Sequence, residues 1–457
     1  MNVLLMMVDE LSWWALGHVD GRVQTPNIDR LAARSRRFTQ AYTPSPICVP
    51  TRAAIATGRY VHEIGHWSSA EPYDGAIRGW AHHVRDAGLD CVSIGKLHYR
   101  SQLDDYGFSH TLEPIHVLNG EGWVQALLRK PVETYEDTQD LATEIGPGRT
   151  DYHDFDRRVT QTTCDWLKDP VRHETPWCAF VSWLAPHFPL IAPAKDYARY
   201  DPKAYESGPD TSPDHPILRE LAAYFDHDLY FTRQSRGIAR ASYFGLCSFV
   251  DAQVGQVLDA LEATGLAEDT VIAFTSDHGE MLGEKGFWTK STMYDSAVRV
   301  PLLMAGPDIA PGTWDSPVSL IDLAPTICGV LGVKGSFSGV DLTKPDANRV
   351  ILSEYHDGGC SVGITMLRWD DWKLVYYAEG HAPQLFNLAS DPCEQIDLSL
   401  TEPVILQSGL DRLKQNLDPE QVNRDCFADQ TKQIEALGGV EAVRSREQFG
   451  YTPADSQ

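Results

Sequence analysis

The sequence predicts an α/β fold: a mixed central sheet flanked by helices, then a small antiparallel sheet and an extended tail. Three observations predict it. Four apolar runs of strand length, Asn2–Val8, Cys91–Ile94, Trp177–Trp183 and Val271–Ser276, show no alternation, as expected of strands buried on both faces. Helix-compatible stretches such as Asp151–Leu167 and Arg240–Leu266 lie between them. Beyond residue 345, short strand candidates at 350–354, 363–369, 372–378 and 383–388 are separated by turn signals. The expected organisation is a main domain over residues 1–345, a small-sheet subdomain over 346–400 and a helical tail over 401–457.

Composition narrows the function. The 457 residues are enough for a large core. With 39 Lys and Arg against 64 Asp and Glu, the net charge is −25. Such a chain is a poor partner for nucleic acid or an anionic membrane, and an anionic substrate would need a local basic well. The apolar start breaks at Asp9 with no basic region before it, so no signal peptide is expected. No run reaches the ~20 apolar residues of a membrane span. The nine cysteines are odd in number, scattered and free of C-x-x-C pairs, which predicts reduced thiols and a cytoplasmic protein.

Taken in order, the first strand ends in Asp9-Glu10, and the C-terminal edge of a central strand is where α/β folds place ligands. A helix follows, with Thr25 as its cap and Pro26 at its first position. Next comes Pro46-Ile-Cys48-Val-Pro50-Thr-Arg52, a loop running into a helix closed by Gly58. Cys48 therefore falls at a helix N-terminus, where free N–H groups favour an anion, with Arg52 as a fixed cation nearby. A lone cysteine is more often a buried packing residue; the surrounding pattern is what makes this one a candidate nucleophile. The second strand leads into Gly95-Lys96-Leu97-His98, and alternate positions of an extended strand end put Lys96 and His98 on one face. Residues 117–150 read as an irregular excursion over the site, with Trp123 and Tyr135 as candidate substrate walls. The third strand runs into Pro186-His187-Phe188-Pro189, a turn pinned by two prolines. The fourth ends in Asp277-His278, two potential metal ligands. Asp251 is expected to be structural. Asp418-Pro419-Glu420 caps a helix in the tail.

The stretch Cys48-x-Pro50-x-Arg52-x(5)-Gly58-Arg59 resembles the sulfatase signature of the alkaline phosphatase superfamily. Further matches are the strand-Asp9 followed by Thr25-Pro-Asn-Ile-Asp29, the Gly-Lys96-x-His98 strand end, the Pro-His187-x-Pro turn, the Asp277-His278 pair, Lys290 before the Thr-x-Tyr-Asp…Arg-Val-Pro run, and the Asp391-Pro-x-Glu394 segment. The resemblance implies an alkaline-phosphatase-like catalytic domain. It implies that Cys48 is converted to formylglycine, whose hydrated aldehyde is the nucleophile, by a formylglycine-generating maturation enzyme. It further implies one divalent metal ion held by Asp9, residue 48, Asp277 and His278. Ca²⁺ is expected from the carboxylates, with Mg²⁺ or Mn²⁺ as alternatives because of the imidazole. Many members carry a second Asp after the first-strand one; this chain has Glu10, whose longer carboxylate is expected to reach the metal.

The same resemblance assigns Arg52, Lys96 and Lys290 to offset the sulfate charge, His187 or Lys290 to assist the departing alcohol, and His98 to act as base in sulfate release. Lys285 is the weaker choice for the Lys290 role. The C-terminal tail is similar to that of choline sulfatases, which implies a homo-oligomer, a dimer or tetramer. The expected function is hydrolysis of a small organic sulfate monoester. The alternative is a phosphonate monoester or phosphate diester hydrolase using the same site, disfavoured by Lys96 and His98. A third reading is a non-catalytic relative in which Cys48 stays a thiol. Trp67, Trp123 and the acidic surroundings suggest a cationic, choline-like alcohol.

Overall fold

A computed structural model of the protein describes residues 1–132, 138–210, 213–446 and 452–454. Its centre is an eight-stranded mixed sheet. In spatial order the strands are Gly312–Trp314, Arg36–Phe38, Leu302–Ala305, Thr270–Ser276, Asn2–Asp9, Trp177–Pro186, Asp90–Lys96 and His110–Ile115. The four predicted buried strands are the parallel middle of this sheet, with Leu5 opposite Phe180 on one side and Ala273 on the other. Leu4, Met6 and Val8 face one apolar cluster, and Val3, Leu5 and Met7 face the other. Each such side chain contributes about 1.5–3 kcal/mol of burial, which is why the run has no polar face. Parallel strands place their C-terminal ends together, so Asp9, Lys96, Pro186 and Ser276 share one edge.

Helices cover both faces. The long helix Arg233–Ala263 begins earlier than the predicted Arg240, because Thr232 caps it by accepting from the Ser235 amide at 3.1 Å. Thr25 stands at the predicted cap position of helix Pro26–Ala33, but its hydroxyl bonds Asp29 instead. The amides of Asn27 and Ile28 are taken by Asp251, at 3.0 and 2.8 Å. Asp251 is thus structural, as expected, and supplies the cap that Thr25 does not.

The C-terminal strands Ile351–Tyr355, Ile364–Trp369, Trp372–Tyr377 and Gln384–Asn387 form the expected antiparallel sheet. It is fastened to the main body by Lys373, whose buried ammonium bonds Asp295 at 2.6 Å, Glu394 at 2.6 Å and the Met293 carbonyl at 2.8 Å. Helices Pro403–Asn416 and Pro419–Ala436 follow, the second capped by Asp418 as predicted. Among the described residues, no helix is long and apolar enough to cross a membrane.

Candidate active site

Helix Cys48–Thr57 is wholly buried and starts with Cys48 itself, its N-terminus facing the carboxyl edge of the sheet. Gly58 ends it with φ 63°, a left-handed stop that glycine takes at no steric cost. Around the Cys48 sulfur stand His278 Nε2 at 3.0 Å, Lys290 Nζ at 3.2 Å and Asp9 Oδ1 at 3.6 Å. Burial, and then the Asp9 charge, pushes the Cys48 thiol up to about 12. As a cysteine the residue is therefore a neutral thiol near pH 7 and a weak nucleophile.

Asp9, Cys48, Asp277 and His278 each offer one ligand atom within 4.8 Å of the others. His278 Nδ1–H donates to the Gly279 carbonyl at 3.1 Å. That fixes the tautomer and leaves Nε2 with its lone pair, 3.6 Å from Asp9 Oδ1 and 3.7 Å from Asp277 Oδ1. Two carboxylates, a ring nitrogen and the side chain of residue 48, all buried, are a donor set that fits a divalent cation. Burial alone would raise Asp9, but Lys96, His187, Arg52 and Lys290 outweigh it and hold the carboxylate well below its usual range.

Arg52 sits behind this group. Its guanidinium bonds Asp277 Oδ2 at 2.8 Å, the Lys96 carbonyl at 2.8 Å and Ser182 at 3.0 Å, and lies 3.5 Å from Asp9 Oδ2. It is the fixed cation beside Cys48, but it does not line the cavity: it is the counter-charge that holds the two carboxylates in place. Lys96 does line the cavity and bonds Asp9. His98 lines it too, but not from an extended strand. The strand stops at Lys96 and His98 takes φ 59°, which turns its ring to Thr452, with Nε2 2.9 Å from the hydroxyl.

His187 donates Nδ1–H to the Phe188 carbonyl at 2.7 Å, so its Nε2 accepts from Lys290 at 2.9 Å. Thr289 and Ser291, on either side of Lys290, have φ 62° and 78°. Such backbone is costly for non-glycine residues; here it is held by Glu280, which accepts from the Thr289 amide at 2.7 Å, and by the Pro46 carbonyl. Lys285 lies elsewhere, bonded to the Glu394 carbonyl. Glu10 is outside the four-ligand group; with Asp9 and His187 it makes a second, overlapping set of potential ligands.

Cys48, Lys96, His98, His187 and Lys290 floor a cavity of about 400 Å³. Its upper wall includes Trp123, as expected, together with Phe188, Phe225, Tyr152, Asp140 and Glu144. Tyr135 lies outside the described residues. Trp67 is not in the cavity: it packs on His356 and donates to Asp429. Tyr152, Phe225, Ser182 and Thr452 escaped the sequence reading because each reaches the site only through tertiary packing. Helical spacing placed Tyr152 on a helix, but nothing local marked its face.

The family profile described as "Sulfatase" matches residues 1–333. The chain belongs to the sulfatase family. It is 31% identical over 430 residues to the choline-sulfatase of Rhizobium meliloti (strain 1021), covering 87% of this chain and 82% of that one. To the arylsulfatase K of Homo sapiens it is 28% identical over 447 residues, covering 89% and 80%. Among solved structures, the phosphonate monoester hydrolase of Silicibacter pomeroyi superposes with TM-score 0.70 at 24% identity, over 92% of this chain and 96% of that one. The 2-O GAG sulfatase BT1596 does so with TM-score 0.69 at 19% identity, over 99% and 98%. At these identities the structural likeness speaks to fold, which is the alkaline-phosphatase-like one expected. As a sulfatase the protein is a sulfuric ester hydrolase.

Proposed function

We propose that the protein hydrolyses a small organic sulfate monoester with residue 48 as formylglycine and one divalent ion, releasing sulfate and an alcohol. The observation that carries this is the convergence of His278, Lys290 and Asp9 within 3.6 Å of the Cys48 sulfur at the floor of one cavity. The proposed ligands are Asp9, residue 48, Asp277 and His278, with Ca²⁺ as the ion on the strength of the carboxylates and Mg²⁺ or Mn²⁺ as the ions metal analysis would otherwise find. When present, the ion and the hydrated aldehyde supply charge neutralisation and an oxygen nucleophile at position 48.

The remaining roles fall to residues in place. Lys96 and Lys290 give the basic well that a chain of net charge −25 needs to admit an anion, and their fixed positions act on the charge that develops in the transition state. Lys290 and His187 stand together where the alcohol leaves, with the ammonium as the nearest proton donor. His98 keeps Nδ1 without a hydrogen-bond partner among the described residues, so a ring nitrogen remains to exchange a proton during sulfate release. Arg52 stiffens Asp9 and Asp277.

Above the floor, Asp140 and Glu144 are one helical turn apart and join Trp123 and Phe225 in lining the cavity. Acidic and aromatic groups together suit an alcohol bearing an ammonium group, in line with the name of the choline-sulfatase relative. A formylglycine-generating enzyme as partner, a homo-oligomer, and a cytoplasmic location for a chain whose nine cysteines are all free complete the proposal. So does the division into a catalytic domain over 1–345, a small-sheet subdomain over 346–400 and a tail over 401–457.

The test is kcat/KM on an aryl sulfate and an aryl phosphonate monoester with the same leaving group, beside peptide mass analysis of residue 48. A clear preference for sulfate and a mass matching formylglycine support the reading. A preference for phosphonate, which Lys96 and His98 disfavour, would move the substrate class. An unmodified thiol in protein made with an active maturation enzyme would end the formylglycine mechanism.

A further inference from the structure

Glu10 is the residue at which this chain departs from the paired first-strand aspartates, and its surroundings give it a different task. It is fully buried. Its φ of 67° turns the chain sharply just after Asp9. Its backbone is held at both ends, the amide donating to Asp277 Oδ1 at 3.2 Å and the carbonyl accepting from Tyr243 at 2.8 Å. The side chain does not join the four atoms grouped around Cys48. Instead Oε2 lies 3.3 Å from Lys290 Nζ and 3.3 Å from His187 Nε2.

An ammonium has three N–H donors and no acceptor. Lys290 meets three partners: Glu10 Oε2 at 3.3 Å, His187 Nε2 at 2.9 Å and the side-chain atom of residue 48 at 3.2 Å. With two donors committed to Glu10 and His187, the third is aimed at position 48, where the ester must sit. Asp9, Glu10 and His187 also come close enough to suggest a second metal site. That space already has a cation against it, because Lys290 touches both Glu10 and His187 and Lys96 bonds Asp9. His187, one of the three groups, has Nδ1–H on the Phe188 carbonyl and Nε2 already accepting from Lys290, so it has no lone pair left for a metal ion.

We infer that Glu10 is a positioning residue for the leaving-group side of the site: it orients Lys290, and through Lys290 the His187 ring, and does not bind the metal. The inference rests on the sulfate-ester reading above, in which Lys290 and His187 attend the departing alcohol. Losing Glu10 should free the ammonium to rotate, so proton delivery to the leaving oxygen suffers while the metal stays. The cost should grow with the basicity of the alcohol, because a good leaving group needs no proton.

The experiment compares wild type, Glu10→Gln and Glu10→Ala, each produced with the maturation enzyme. It measures metal per chain, formylglycine content, Tm, and kcat on 4-nitrophenyl sulfate and on an alkyl sulfate. The expected result is unchanged metal and formylglycine, with kcat on the alkyl ester falling at least tenfold further than on the nitrophenyl ester. Gln, which keeps an acceptor oxygen in the same place, should lose less than Ala. Loss of metal from either variant, or equal losses on the two esters in the near-isosteric Gln variant, would overturn it. A wild type that turns over neither sulfate would instead strike at the sulfate-ester reading and leave the metal measurement to judge Glu10 by itself.

Discussion

Lys290 Nζ lies 3.2 Å from Cys48 Sγ across 242 residues of sequence, and the Lys290 loop is held there by Glu280 and by the Pro46 carbonyl. A cation fixed in this way does not have to reorganise as charge builds on the ester. Lys290→Ala should therefore lower kcat by ~10²–10³-fold, about 3–4 kcal/mol, with formylglycine content unchanged. Steady-state kinetics check it. A fall confined to KM would mean that Lys290 binds the ground state and does no more.

The buried ligand group makes a second prediction, about stability. Asp9 and Asp277 share a core with Cys48 and His278, and Arg52 and Lys96 are the cations that pair with them directly. Chelating the purified enzyme should abolish turnover and lower Tm. Restoring ~100 Kd of the ion should return about 2.7 kcal/mol. A chelated protein that keeps both its Tm and its rate would remove the metal from the proposal.

Lys373 is the charge that joins the small sheet to the main body, and both carboxylates it serves are buried. Lys373→Met should cost about 3–5 kcal/mol, because it leaves the buried Glu394 without its cation and Asp295 with only Arg299, 3.4 Å away, as an ion-pair partner. The triple change to Met, Asn and Gln at 373, 295 and 394 should recover much of that. Urea unfolding of the single and triple variants measures it; a single variant within 1 kcal/mol of wild type would be the wrong outcome.

The pair His62 and Glu354, 2.8 Å apart, predicts a pH window. Burial alone would raise Glu354, but the His62 charge, joined by His356 at 3.4 Å, overrides it and the carboxyl is held down at about 2, against an ordinary 4.5. This contribution is present above pH 4.5 and fades as pH falls toward 2. Burial would lower His62, but Glu354 overrides that and raises it above 6.5. That contribution is present below pH 6.5 and fades as pH rises through the raised value. The Tm difference between wild type and Glu354→Gln should thus be largest between pH 4.5 and 6.5. A difference that is flat from pH 4 to 9 would show that the pair carries no net charge interaction.

Much of the site could be read from sequence because the sheet is simple at that level. An apolar run with no polar face marks a central strand, so the polar residues at its end reach the carboxyl edge, as Asp9, Lys96, His187, Asp277 and His278 do. What failed was whatever depended on choosing between local and distant partners. Thr25 had the right chemistry to cap its helix, yet Asp251 on another helix does so. Arg52 four residues after Cys48 invited a shared role in the cavity, but the guanidinium turns to Asp277 and Ser182. His98 looked like the next strand position after Lys96, and a left-handed backbone places it instead.

Thr452, hydrogen-bonded with His98, is also among the last parts of the site to be synthesised. Cys48 is only 4% exposed in the folded protein, too enclosed for another enzyme to handle. The Thr452 wall of the pocket, however, is made about 400 residues after Cys48, which at ~5–20 residues per second is some 20–80 s. On the proposed reading, conversion of residue 48 would fall within that interval, while the side chain that ends 4% exposed is still open.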